Sequence, residues 1–132
     1  MSRLTIYLVE DSPVIRENLI GTLEELAPVE VVGMAEDEAT AVAWMSQPGR
    51  QVDMLIVDIF LKGGSGLGVL REAARLLPNS TRLVLTNFAT RDMRMKCLAL
   101  GAFRVFDKSN EIDALIECCT ELSRGASVSA PA

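Results

Sequence analysis

Leu4-Thr5-Ile6-Tyr7-Leu8-Val9-Glu10-Asp11-Ser12-Pro13 decides how this chain folds. Its first six residues are a short, β-branched, mostly apolar run that stops abruptly on two acids, the pattern of a buried strand. The next residues open a helix: Ser12 suits the N-cap, and Pro13 suits the first helical position, where its missing N–H costs nothing. From Val14 to Leu26 the apolar residues recur at helical spacing, with Ile15, Leu19, Leu23 and Leu26 on or near one face. A strand apolar on both sides that runs straight into a helix leaves Glu10 and Asp11 at its carboxyl end.

The same alternation extends outward. Strands are expected at Val29 to Met34, Val52 to Val57 and Arg82 to Leu85, and helices at Glu36 to Met45, Leu67 to Leu77 and Arg91 to Leu100. A last strand around Phe103 to Phe106 and a helix from about Asn110 to Leu122 complete the series. Apolar strands alternating with helices imply a parallel sheet covered on both faces, and right-handed crossovers make it a doubly wound α/β fold. Residues 1–124 read as one domain, and 125–132, small, polar and proline-containing, as a flexible tail or the start of a linker.

Composition limits the function. The 132 residues are 49% hydrophobic and 23% charged, enough for one core that needs no disulfide or metal to hold it. A formal net charge of −5 has the wrong sign for counterion-releasing contact with nucleic acid, so none is expected. Cys97, Cys118 and Cys119 lack CxxC spacing and the chain has no histidine, so zinc ligands are few. The cysteines read as reduced core residues, Cys119 sharing a helical face with Ile112, Leu115, Ile116 and Leu122. The amino-terminal sequence has no signal-peptide pattern and no run approaches bilayer length, so a cytoplasmic location without membrane contact is expected.

In an open doubly wound sheet, ligands bind outside the carboxyl ends of the strands. The residues there are Glu10 and Asp11 after the first strand, Asp58 after the third, Thr86 after the fourth and Lys108 after the fifth. Taken singly, each has an ordinary explanation: a helix cap, a turn former, a surface charge. Together they make a charge problem, because two like charges about 4 Å apart repel by roughly 4 kcal/mol at an effective dielectric of 20. Lys108 supplies one compensating charge and a divalent ion the rest; all-oxygen ligands suit Mg²⁺. A carboxylate nucleophile, a metal, a lysine and a hydroxyl donor are the parts that phosphoryl transfer needs.

Acid pair, aspartate, threonine and lysine in this order at successive strand ends resemble the signature of response-regulator receiver domains. The local strings agree: Leu8-Val9-Glu10-Asp11-Ser12-Pro13, Leu55-Ile56-Val57-Asp58-Ile59-Phe60-Leu61, Gly66-Leu67, Leu83-Val84-Leu85-Thr86-Asn87, and Gly101-Ala102 ahead of Phe106-Asp107-Lys108-Ser109. The resemblance covers nearly the whole chain and implies a five-stranded parallel, flavodoxin-like (βα)5 sheet in strand order 2-1-3-4-5. It implies that Asp58 is the phosphoacceptor, that Asp11 contacts Mg²⁺ directly and Glu10 through water, and that the Phe60 carbonyl completes the metal site. Lys108 would pair with the phosphoryl oxygens and Thr86 would donate its hydroxyl to them. A sensor histidine kinase or phosphotransfer protein would supply the phosphoryl group, and the domain itself would catalyse transfer and slow hydrolysis. The helix from Arg91, the last strand and the last helix would form the face that meets a downstream protein target or a second copy, in a stand-alone switch or the first part of a transcription regulator. The stripe of Arg91, Arg94 and Lys96 on that helix reads equally well as a solvated face.

Several positions depart from the family pattern. Val105 stands where an inward-rotating aromatic is common, so the activating shift is expected to run through the backbone after Thr86 and the helix from Arg91. Ser109 replaces a common proline; a trans peptide is expected there, with Ser109 capping the last helix. Lys62 also replaces a common proline, and Gly63-Gly64-Ser65-Gly66 fits neither a dinucleotide nor a P-loop fingerprint. Asn87, Phe60 and Phe88 make a bulky rim that is expected to impede water and prolong the phosphorylated state. Two other readings are an aspartyl-phosphate enzyme and a degenerate receiver that only binds partners. Haloacid-dehalogenase-type enzymes place a second acid two residues after the nucleophile, where this chain has Phe60, and the intact acid pair, acceptor, threonine and lysine argue against degeneracy.

Overall fold

Apolar strands and amphipathic helices alternate five times in the tertiary structure, a computed structural model that describes residues 3–125. The strands are β1 (Leu4–Val9), β2 (Val29–Ala35), β3 (Met54–Val57), β4 (Thr81–Thr86) and β5 (Arg104–Asp107). All neighbours pair in parallel, in the order β2-β1-β3-β4-β5. Between and after them run α1 (Pro13–Leu26), α2 (Glu38–Met45), α3 (Gly66–Leu76), α4 (Arg91–Ala99) and α5 (Ile112–Ser123). The tail expected from residue 125 onward lies, beyond Gly125, outside the described residues.

Side chains alternate across each strand, so the sheet feeds two cores. One face carries Tyr7, Val9, Leu55, Val57, Val84 and Val105 under α2, α3 and α4. The opposite face carries Ile6, Leu8, Met54, Ile56, Leu83, Leu85 and Phe106 under Leu19 and Leu23 of α1 and Leu115, Cys118 and Cys119 of α5. Burial on both faces explains why the strands read as continuous apolar runs instead of alternating ones. All three cysteines are free and buried, and burial pushes the Cys119 thiol up to about 12, out of the range of thiolate chemistry.

At the β1–β2 seam the register slips by one residue: Ile6 pairs with Val31 but Tyr7 with Gly33, leaving Val32 as a bulge in the outer strand. Tyr7 stacks on Trp44 of α2 with ring centroids 4.0 Å apart. A β-carbon at Gly33 would lie 2.9 Å from the Tyr7 ring, so only glycine lets the stack sit against β2.

Most helix starts agree with their sequence signals. Ser12 accepts the Ile15 N–H and Pro13 takes the first helical position, as expected. The second helix begins two residues later than expected, because the Asp37 carboxylate caps it by accepting the Thr40 N–H. Ser109 does not cap α5: the cap position is Glu111, without a side-chain cap bond, and the Ser109 hydroxyl instead donates to Asn87 Oδ1 at 3.3 Å while its N–H donates to Asp107 Oδ1 in a tight turn. No cis peptide occurs among the described residues, so the Lys108–Ser109 bond is trans. Nor is any described helix long and apolar enough to cross a membrane.

Candidate functional site

Parallel pairing sets where the strand-end residues fall. Val9 is in register with Val57, and the Asp58 N–H carries the ladder one step further by donating to the Val9 carbonyl at 2.9 Å, which puts Glu10 beside Asp58. On the other side Thr86 is in register with Asp107, and the Lys108 N–H reaches the Thr86 carbonyl at 2.8 Å. The glycine that opens α3 holds the acceptor loop down: Gly66 N–H donates to the Ile59 carbonyl at 2.8 Å, and a β-carbon at 66 would overlap the Asp58 carbonyl.

These ladders bring together three carboxylates and one ammonium. Glu10, Asp11 and Asp58 each offer an oxygen within 4.8 Å of the others. Lys108 Nζ donates to Glu10 Oε1 at 2.7 Å and to Asp58 Oδ2 at 2.8 Å. The second Glu10 oxygen accepts the Ser12 N–H at 3.0 Å, so this almost fully buried carboxylate is satisfied at both oxygens. Asp58 Oδ1 receives only a long contact of 3.4 Å from the Phe60 N–H. Burial opposes the charge on Lys108 most strongly, but hydrogen bonds and charge from Asp58 and Glu10 outweigh it and hold the ammonium above its ordinary value.

The mouth of the pocket is formed by Asp11, Ser12, Ile15, Phe60, Asn87 and Phe88 around Glu10, Asp58 and Lys108. Phe60 and Phe88 meet edge to face with centroids 4.8 Å apart, both half exposed. Thr86 lies deeper, fully buried, with its hydroxyl accepting the Phe88 N–H at 3.2 Å. The expected site residues thus gather at one edge, with Thr86 behind the rim.

Other contacts are not visible from strand ends. Arg16 donates to the Glu10 carbonyl at 2.9 Å and approaches Glu36 at 3.6 Å, while Lys62 pairs with Glu36 at 2.7 Å. The Glu38 carboxylate accepts the Ser65 N–H at 2.9 Å, tying α2 to the loop after Asp58. Arg94, which shares a basic stripe with Arg91 and Lys96 in the sequence, turns its guanidinium inward to the Ala89 and Val105 carbonyls. Glu36 for Arg16 and Lys62, and the Val105 carbonyl for Arg94, lie too far along the chain to leave a local pattern, so only the fold reveals these pairs.

Comparison with known proteins supports the same fold and class. The chain is 28% identical over 97 residues to the DNA-binding transcriptional activator DevR/DosR of Mycobacterium tuberculosis, covering 74% of this chain and 44% of that protein. It is 24% identical over 122 residues to the transcriptional regulatory protein LiaR of Bacillus subtilis, covering 92% of this chain and 57% of that one. It therefore spans about half the length of the curated relatives it matches. Among solved structures, a LuxR-family two-component response regulator from Aurantimonas superposes with a TM-score of 0.82 at 23% identity, over 94% of this chain and 87% of that one. The receiver domain of the putative response regulator NarL from Mycobacterium tuberculosis gives 0.78 at 20% identity, over 96% and 100%. At these identities the structural likeness establishes the fold. The family described as "Response regulator receiver domain" matches residues 6–120, from within β1 into α5. By that match the chain belongs to the receiver domains of two-component response regulators.

Proposed function

We propose that this receiver takes a phosphoryl group onto Asp58, with Glu10, Asp11, Asp58 and the Phe60 carbonyl holding Mg²⁺ and with Lys108 and Thr86 binding the phosphoryl oxygens. The observation that carries the reading is the single ammonium shared by Asp58 and Glu10 beside a third carboxylate. Three carboxylates facing one lysine leave uncompensated negative charge, and an all-oxygen donor set fits a hard divalent cation. When bound, Mg²⁺ supplies positive charge that offsets this repulsion and favours a phosphoryl group in the pocket.

The chain's own residues do the rest. Asp58 Oδ1, with only its long contact to Phe60, is the freer oxygen for attack on phosphorus. An oxygen–phosphorus bond forms as the bond from phosphorus to the donor breaks, and the donor's leaving group keeps the electron pair. Lys108, held charged by its two carboxylates, stabilises the oxygens that gain charge. The Thr86 hydroxyl, whose oxygen accepts the Phe88 N–H, has its own proton left to donate once the loop brings it to the rim.

The chain is read as cytoplasmic, and its donor as a sensor histidine kinase or phosphotransfer protein. The output is a contact with a downstream protein or a second copy through the α4-β5-α5 face. The transcription regulators among the relatives support a receiver that serves a longer regulator. Incubation with acetyl phosphate and Mg²⁺, then intact-mass measurement, tests the acceptor. One phosphoryl-sized gain is expected for the wild type and none for Asp58→Asn; an undiminished gain in Asp58→Asn overturns the assignment.

A further inference from the structure

With Asp58 taken as the phosphoacceptor, we propose that Arg94 is the positioning residue that couples the loop after Thr86 to β5 and the start of α5. One guanidinium joins three segments. Its Nε donates to the Ala89 carbonyl at 3.0 Å, Nη1 to the Val105 carbonyl at 2.7 Å and Nη2 to Glu111 Oε1 at 3.0 Å.

Both ends of this bridge return to the pocket. On the loop side, Ala89 comes directly after Phe88, whose N–H holds the Thr86 hydroxyl and whose ring rests on Phe60, two residues past Asp58. On the strand side, Glu111 Oε1 also accepts the Asp107 N–H at 2.7 Å, and Asp107 precedes Lys108, the partner of Asp58. Val105 is too short to act as an aromatic plunger between β4 and β5, so the connection made here is a set of polar bonds to backbone.

The chemistry of arginine fits this task. A planar fork fixes several donors relative to one another, so moving the Ala89 carbonyl either drags β5 and α5 along or breaks a bond. Helix energetics do not explain the residue, because a cation near the start of α4 opposes the helix dipole. Arg82 provides the contrast. It also bonds backbone carbonyls, those of Leu77, Ser80 and Gly101, but at the amino end of β4, away from the pocket residues. Such a grip fixes loops without a route to Asp58. The lowered pKa of Glu111, caused first by the Asp107 N–H and then by Arg94, keeps its carboxylate ionised for the bridge.

The test compares backbone NMR shifts before and after acetyl phosphate with Mg²⁺ in wild type, Arg94→Lys and Glu111→Ala, with phosphoryl uptake read by mass. Uptake is expected to be unchanged in both variants. Phosphorylation-dependent shifts at residues 86–90 persist in both, whereas those at residues 112–115, at the start of α5 and clear of Lys108, shrink at least threefold, and lysine does not rescue because it restores charge without the fork. A purely structural role would alter the unphosphorylated spectrum and leave the phosphorylation-dependent difference intact. Wild-type differences at residues 112–115 in Arg94→Lys overturn the proposal; should that variant not fold, Glu111→Ala alone decides. Failure of the wild type to take up phosphoryl would remove the Asp58 reading itself, a result the mass measurement separates from loss of coupling.

Discussion

Lys108 sets the resting electrostatics of the pocket. Its raised pKa means that the stability it contributes is complete below the ordinary lysine value and is lost only as pH rises through the raised one, so the cation is in place throughout the neutral range. The two aromatic residues at the mouth bear on a different step of the proposed cycle. An aspartyl phosphate is lost when water attacks phosphorus, and the edge-to-face Phe60–Phe88 pair occupies the approach with apolar surface. Replacing Phe88 with glutamate opens that surface and adds a group able to orient water. Phe88→Glu is expected to shorten the lifetime of the phosphorylated protein about tenfold, equivalent to about 1.4 kcal/mol of barrier. Decay of the phosphorylated mass after removal of the donor measures it, and an unchanged lifetime would show that the pair does not control water.

At the level of elements, the loop between β3 and α3 depends on one small residue. Gly66→Ala places a β-carbon against the Asp58 carbonyl, so α3 or the acceptor must move. Stability is expected to fall by about 1–3 kcal/mol in urea titrations, with a lower rate of phosphoryl uptake from acetyl phosphate. The strand and helix order is legible in the sequence because two-sided burial writes itself as apolar runs and amphipathic helices as a period. Glu10, Asp11, Asp58 and Lys108 are legible for a related reason: each sits just past the end of a strand, and parallel pairing aligns those ends. Ser109 and Arg94 mislead because their partners lie in tertiary space. A serine before a helix has the local form of a cap, yet the Ser109 hydroxyl is drawn across to Asn87 Oδ1 on the loop after β4. An arginine on a helix has the local form of a solvated charge, yet two carbonyls and Glu111 claim its fork. The depth of Thr86 likewise depends on how the loop after β4 folds back.

Across the whole molecule, the same strands serve two cores, so neither layer of helices can separate without exposing the sheet between them. Leu23 of α1 is fully buried against the sheet, on the opposite side from Trp44, the sole tryptophan. Leu23→Ala is expected to cost about 2–5 kcal/mol, with Trp44 fluorescence and helical circular dichroism still reporting one coincident transition. Separate midpoints would show that the two layers unfold independently. The outer strand meets solvent along one side, and there the bulge at Val32 matters in another way. A free margin of evenly spaced N–H and C=O groups is a template on which another chain can grow, and the extra residue puts that template out of step. The irregularity in β2 thus disfavours fibrous growth from this margin of the sheet.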